Sequence, residues 1–119
     1  VADPFPKSRQ LARGQRRYRR KVASQKQWQV IIDAKQGPCR SCGIPGAIEF
    51  HHLVPRSLGG DDIADNIVPL CRPCHGHVTD RSTCDGDCAG DVARSLTDAE
   101  YAYVIAKLGE GAMHRLFGV

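Results

Sequence analysis

The chain has 119 residues, 25% of them charged and 41% hydrophobic, with a formal net charge of +4 at pH 7. That length accommodates one domain whose core is small enough to need a further clamp. No apolar run approaches the ~20 residues that span a bilayer, and no apolar segment follows the basic N-terminal stretch, so neither a membrane helix nor a secretory signal is expected. The six cysteines then point to a reducing, cytoplasmic setting that keeps thiols available for metal.

Charge is unevenly placed. Residues 1–27 carry nine Lys and Arg residues against Asp3, while the rest carries eight basic and twelve acidic residues. A basic arm on a mildly acidic body implies a polyanionic partner. Within the arm, residues 1–23, the run 10–23 is built of good helix formers with one interruption at Gly14. Repulsion among its arginines disfavours order in free solution. Against phosphates it can become a helix with Arg13, Arg16, Arg17 and Arg20 on one face. Arg13, Arg16, Arg17, Arg19, Arg20 and Lys21 are therefore candidate nucleic-acid contacts. They would touch phosphate and so give affinity without sequence choice. The alternative is a solvated tail.

Residues 24–119 are expected to form a single domain. Ser24 can cap a helix running to Gln36, with Trp28, Ile31, Ile32 and Lys35 near one face. Trp28 is expected in the core rather than stacked on a base. Gly37-Pro38 ends this helix and delivers the chain to Cys39. Ala47–Phe50 reads as a strand that ends in His51-His52. Pro55 and Gly59-Gly60 force an irregular loop, whose turn takes Asp61 and Asp62. Glu49 takes an exposed strand position. Ile67–Leu70 is a second strand, and Arg72-Pro73 opens a helix, since Pro is tolerated in the first turn. The acidic loop 80–92 holds Cys84 and Cys88, expected as free surface thiols, with a disulfide or a second metal clip as alternatives. Thr97-Asp-Ala-Glu100 is a capping box opening the C-terminal helical part, 95–117. Tyr101, Val104, Ile105 and Leu108 give its helix an apolar face. Gly109 and Gly111 break that helix, Ala112–Phe117 adds a last short one, and His114 is expected on the surface.

Two cysteine pairs bracket the middle of the chain, Cys39-Arg-Ser-Cys42 and Cys71-Arg-Pro-Cys74. Two residues between cysteines let one tight turn aim both sulfurs at one ion. Two such pairs far apart in sequence are the usual signature of a structural, tetrahedral zinc site. Disulfides or unconnected buried thiols are the alternatives.

Between and just after these pairs stand His51-His52-Leu-Val-Pro55, Gly59-Gly60-Asp-Asp62, Asn66-Ile-Val-Pro-Leu-Cys71 and Cys74-His75. This run resembles the HNH endonuclease family over residues 39–80. The resemblance implies an α+β fold: a small zinc-stabilised ββα-metal core with flanking N- and C-terminal helices. It implies that His52 is the general base and that His51 and His75 bind a catalytic divalent ion. It also implies that Asn66 braces the loop by hydrogen bonding and so orients His52. Mg²⁺ or Mn²⁺ would serve, and imidazole also favours Ni²⁺, Co²⁺ or Zn²⁺. The position one turn beyond His75, where some members have another His, is Thr79 here, which favours a labile ion. His77, roughly 200° around the helix from His75, is a poor co-ligand.

The chemistry matches those residue types. Phosphodiester hydrolysis needs a base near neutral pKa, a cation at the phosphate and a rigid frame. The expected activity is a metal-dependent DNA endonuclease or nickase leaving a 5′-phosphate and a 3′-hydroxyl, similar to small phage-type HNH nucleases. Arg56 and Arg72 flank the groove as phosphate contacts or as ordinary exposed arginines. Expected partners are DNA and phage packaging proteins, with the chain a monomer or weak dimer. The rival readings are a non-catalytic Cys₄ zinc module that binds nucleic acid, and an accessory subunit of a nuclease or packaging complex.

Overall fold

The structure is a computed structural model that describes residues 20–119. The arm positions Arg13, Arg16, Arg17 and Arg19 lie outside the described residues. Helix α1 spans Gln25–Lys35 and begins with a reciprocal cap. The Ser24 hydroxyl accepts from the Gln27 amide, and the Gln27 side chain accepts from the Ser24 amide. That satisfies two of the orphan donors of the first turn. After Gly37-Pro38 the chain enters a knuckle at Cys39–Cys42, closed by Cys39 N–H to Ile44 C=O and Gly43 N–H to Cys39 C=O.

Strand β1, Glu49–His52, pairs antiparallel with β2, Ile67–Leu70, in the register Glu49 with Leu70 and His52 with Ile67. Pro69 can stand in β2 because its carbonyl points to the outer edge, where it accepts from Arg40 N–H at 3.0 Å. Its missing donor faces the same way, so no bond to β1 is lost. Every residue of β2 is buried.

The connection between the strands packs by its own backbone. Leu53 and Val54 are buried, and a 3₁₀ turn at Arg56–Leu58 ends at Gly59 with φ 83°. Gly60 then passes so close to Val54 that a Cβ would lie 1.7 Å from the Val54 carbonyl oxygen. Only glycine permits that approach. A second 3₁₀ turn, Ala64–Asn66, leads into β2.

Helix α2, Arg72–Thr79, follows with Pro73 in its first turn. Helix α3 is Cys88–Ser95, α4 is Asp98–Leu108 and α5 is Ala112–Phe117. Thr97 and Glu100 form the expected capping box. One core joins Leu53, Val54, Val68 and Leu70 to Val78 of α2, Val92 of α3, Val104 of α4 and Phe117 of α5. Among the described residues the architecture is α+β, a two-stranded sheet with five helices.

Glu100 is fully buried and ties α4 to the N-terminal half. It accepts from Lys35 of α1, from Arg40 of the knuckle at 2.8 and 3.0 Å, and from the Thr97 amide. Burial alone would raise its pKa, but the Arg40 and Lys35 hydrogen bonds outweigh it and hold the group at about 2.

Candidate metal centre and groove

The knuckle and the start of α2 bring Cys39, Cys42, Cys71 and Cys74 together, with their sulfurs all within 4.8 Å of one another. The Cys42 and Cys71 sulfurs are 3.7 Å apart. Zn–S bonds of about 2.3 Å in a tetrahedron put sulfurs about 3.8 Å apart, so the spacing fits zinc. All six cysteines are free thiols. Burial raises the Cys39 pKa, but N–H bonds from Cys42, Cys71 and Ser41 bring it down to about 6. Burial pushes Cys74 up instead. Four thiols this close cannot all ionise alone, and a dication removes that conflict. The cluster could hold a zinc ion.

Beside the sheet lies an open groove of about 710 Å³, lined among others by Trp28, His51, His52, Arg56, His75 and Thr79. Neighbouring strand residues alternate faces, yet His51 and His52 both reach this groove because β1 ends at His52. The rings of His51 and His75 meet edge to face, with centroids 5.2 Å apart. Burial, with smaller contributions from His75 and His52, lowers the His51 pKa to about 4. His51 is therefore neutral at pH 7, with a lone pair available to a cation.

A carboxylate holds each of the other two imidazoles. His75 Nδ1 lies 2.7 Å from Glu49 Oε1, which leaves Nε2 for a ligand. Glu49 also accepts from Arg72 Nε at 3.0 Å, and these two bonds lower its pKa. A carboxylate behind a histidine fixes its tautomer and ring orientation, as around metal sites generally.

On the other side, His52 Nε2 lies 2.8 Å from Asp62 Oδ1. Asp62 also accepts from Arg20 Nη1 at 2.7 Å and from the Ala23 amide at 3.0 Å. Burial raises the Asp62 pKa, but the Arg20, Ala23 and His52 bonds outweigh it and bring it to about 2. An ionised Asp62 only accepts, so His52 donates from Nε2 and keeps its basic lone pair on Nδ1.

Asn66, fully buried, braces the loop that presents this aspartate. Its Oδ1 accepts from Val54 N–H at 2.7 Å, and its Nδ2 donates to the Val54 and Asp61 carbonyls at 3.1 and 2.9 Å. Asp61 accepts from Tyr103 and Lys107 of α4.

Several positions differ from their sequence expectations. Trp28, expected in the core, is half-buried in the groove, edge-on to His52 at 5.7 Å and beneath the Arg56 guanidinium at 5.9 Å. Asp61, Asp62 and Glu49 are partners of site residues and of α4, not merely turn and strand residues. Arg20, expected on nucleic acid, is committed to Asp62 and the Gly60 carbonyl. The Lys21 backbone is held by Asp61. Arg72 is bound to Glu49, whereas Arg56 lines the groove, joined there by Arg81 and Arg115, which carried no sequence signal. Thr79 donates its hydroxyl to the His75 carbonyl at 2.8 Å. Cys84 and Cys88, expected as separate surface thiols, converge with His77.

Comparison with known proteins agrees with this geometry. Residues 39–81 match the family model described as HNH endonuclease. Over 54 residues the chain is 37% identical to the type IV methyl-directed restriction enzyme EcoKMcrA of Escherichia coli K12, covering 38% of this chain and 20% of that protein. Over 86 residues it is 28% identical to the probable mobile endonuclease C of Enterobacteria phage T4, covering 65% of this chain and 41% of that protein. The chain thus spans less than half the length of either relative. No solved structure matches it. No helix among the described residues is long and apolar enough to cross a membrane. The segment 39–81, which carries the cysteine cluster, the two strands and α2, is thus the part of the chain that matches the HNH endonuclease family.

Proposed function

We propose that the chain is a metal-dependent DNA endonuclease or nickase acting at this groove. One observation carries the reading: three imidazoles converge on one groove, and two of them are each oriented by a carboxylate. His52 is the general base. Its Nδ1 takes a proton from water, the water oxygen attacks phosphorus, and the bond from phosphorus to the 3′-oxygen breaks. The departing 3′-oxygen takes a proton from solvent, so a 5′-phosphate and a 3′-hydroxyl result. Asp62 stabilises the imidazolium that forms on His52 and holds the ring in place, the role of the orienting acid in other base–carboxylate pairs. Asn66 keeps Asp61 and Asp62 under the groove.

His51 and His75 would hold the catalytic divalent ion, Mg²⁺ or Mn²⁺, or the softer Ni²⁺, Co²⁺ or Zn²⁺. When bound, such an ion supplies positive charge to the phosphoryl and departing oxygens. Glu49 orients His75 toward it. Cys39, Cys42, Cys71 and Cys74 bind structural Zn²⁺. It fixes the knuckle to α2, the helix that carries His75. Arg56 contacts a phosphate at the groove, with Arg72 beside it. Residues 1–23 contact DNA, through Arg13, Arg16, Arg17 and Arg19 foremost, while 24–119 act as one nuclease domain. The protein works in the cytoplasm as a monomer or weak dimer, with phage packaging proteins as candidate partners.

Plasmid nicking across a series of divalent metals tests this reading. The variant His52→Ala is expected to lose about 10²–10⁴-fold in nicking rate, with DNA binding and fold retained. Unchanged nicking in that variant removes His52 as the base. No nicking by the unaltered chain with any metal, alongside retained DNA binding, favours a non-catalytic zinc module.

A further inference from the structure

We propose that His77, Cys84 and Cys88 form a second metal site, sharing no ligand with the Cys₄ cluster, for a thiophilic divalent cation of the zinc class. The three side chains come from three different elements. His77 lies in the last turn of α2, Cys84 follows the 3₁₀ turn Arg81–Thr83, and Cys88 is the first residue of α3. Their ligand atoms all lie within 4.8 Å of one another. The two sulfurs are 3.4 Å apart, and His77 Nδ1 is 3.5 Å from the Cys88 sulfur. Bond lengths of about 2.3 Å to sulfur and 2.0 Å to nitrogen in a tetrahedron give edges of about 3.8 and 3.5 Å. Two edges therefore lie close to those of such a tetrahedron, and the third, from His77 to Cys84, is at most 4.8 Å. Water takes the fourth corner.

The surrounding chain explains why an ion is needed here. From Thr79 to Asp87 only Cys84 is even half-buried, and no apolar side chain anchors the crossing from α2 to α3. The nearest core residues are Val78 and Ala89. A cation held by His77, Cys84 and Cys88 would clip this segment at its middle and at both ends, coupling metal binding to its folding. The imidazole separates this reading from a disulfide. A Cys84–Cys88 bond has no use for a ring nitrogen aimed at sulfur, whereas a two-sulfur, one-nitrogen ligand set requires it. His77 and His75 leave α2 on opposite sides, as a step of roughly 200° dictates. The clip therefore does not compete with the groove for ligands.

The experiment is ¹¹³Cd NMR of the reduced full chain, with zinc content measured in parallel. The unaltered chain is expected to show two thiolate-shifted resonances. Cys84→Ser combined with Cys88→Ser is expected to lose one of them and one equivalent of zinc. His77→Ala is expected to move that same resonance and leave the Cys₄ resonance in place. A single thiolate-shifted resonance from the unaltered chain overturns the proposal, even if the variants fail to fold. So does a double variant that keeps both resonances. Metal-free Cys84 and Cys88 that resist alkylation until a reductant is added would identify a disulfide instead. An unmoved resonance in His77→Ala removes the histidine and with it the site as stated.

Discussion

Two carboxylate–imidazole pairs stand on either side of one groove, and they differ in how the protein holds them. The Asp62 side chain is 1% exposed and is gripped by Arg20, the Ala23 amide and His52 together. The Glu49 side chain is 27% exposed, and its second partner, Arg72, is 82% exposed. The first pair is part of the loop's internal frame. The second is a surface contact that turns a ring. Charge pairs in water's reach contribute little to stability, while a buried acid that loses its partners leaves desolvated groups unmatched. The difference teaches that orienting a base and orienting a metal ligand carry different structural costs when removed.

That contrast can be broken most forcefully at Asp62. Asp62→Asn takes the anion from Arg20 and His52 and is expected to cost about 1.5–3 kcal/mol of stability, the range for hydrogen bonds to charged groups. It is also expected to lower nicking by leaving the His52 ring unheld. Urea unfolding and plasmid nicking measure the two. Unchanged values for both would place Asp62 outside the frame.

A second effect, read by pH, separates the groove's neutral histidine from its carboxylates. The folded pKa of His51 is lowered to about 4 from an ordinary 6.5. Between those values the unfolded chain binds more protons, so stability falls as pH drops from 6.5 to 4. Asp62 and Glu100, each at about 2 when folded, contribute stability that is present above their unfolded values. It is lost only as pH falls from those values toward 2. Urea midpoints for the chain and for His51→Gln across this range should differ in slope between pH 4 and 6.5 and run parallel below 4. Parallel curves throughout would show that His51 is not held neutral by burial.

The smallest stability effect is expected at Glu49. Glu49→Gln should leave the urea midpoint nearly unchanged, as for an exposed pair. Loss of the carboxylate behind His75 should still weaken binding of the catalytic ion by about 10–100-fold. Metal titration by calorimetry reads that change. A variant as destabilised as Asp62→Asn would erase the distinction between the two pairs.

Helix α2 shows how far local sequence carries such a site. Within eight residues it presents Cys74 to the cysteine cluster, His75 to the groove and His77 to the opposite side, with Cys71 just ahead as its cap. All of this follows from the helical rotation per residue, so the divergence of His75 and His77 was legible before any coordinates. The caps at Ser24 and Thr97 were legible for the same reason, because three-residue spacing decides them. The exit of Cys88 toward His77 was not, since ten mostly exposed residues lie between them.

What the residues determined by themselves was short-range. The cysteine pairs set a thiolate turn, the glycines set the loop, the apolar spacing set strands and helices, and the histidines beside them marked the groove. The β1–β2 register and the closure of the loop over Asn66 decided which acid stands behind which imidazole. They turned Asp62 from a turn residue into the holder of His52 and Glu49 from a strand surface residue into the holder of His75. They also drew Arg20 inward and Trp28 to the groove wall. Backbone spacing within a turn is a property of neighbours in the chain. The pairing of charges across ten to forty residues depends on where the core places them, and only the packed tertiary structure supplies that.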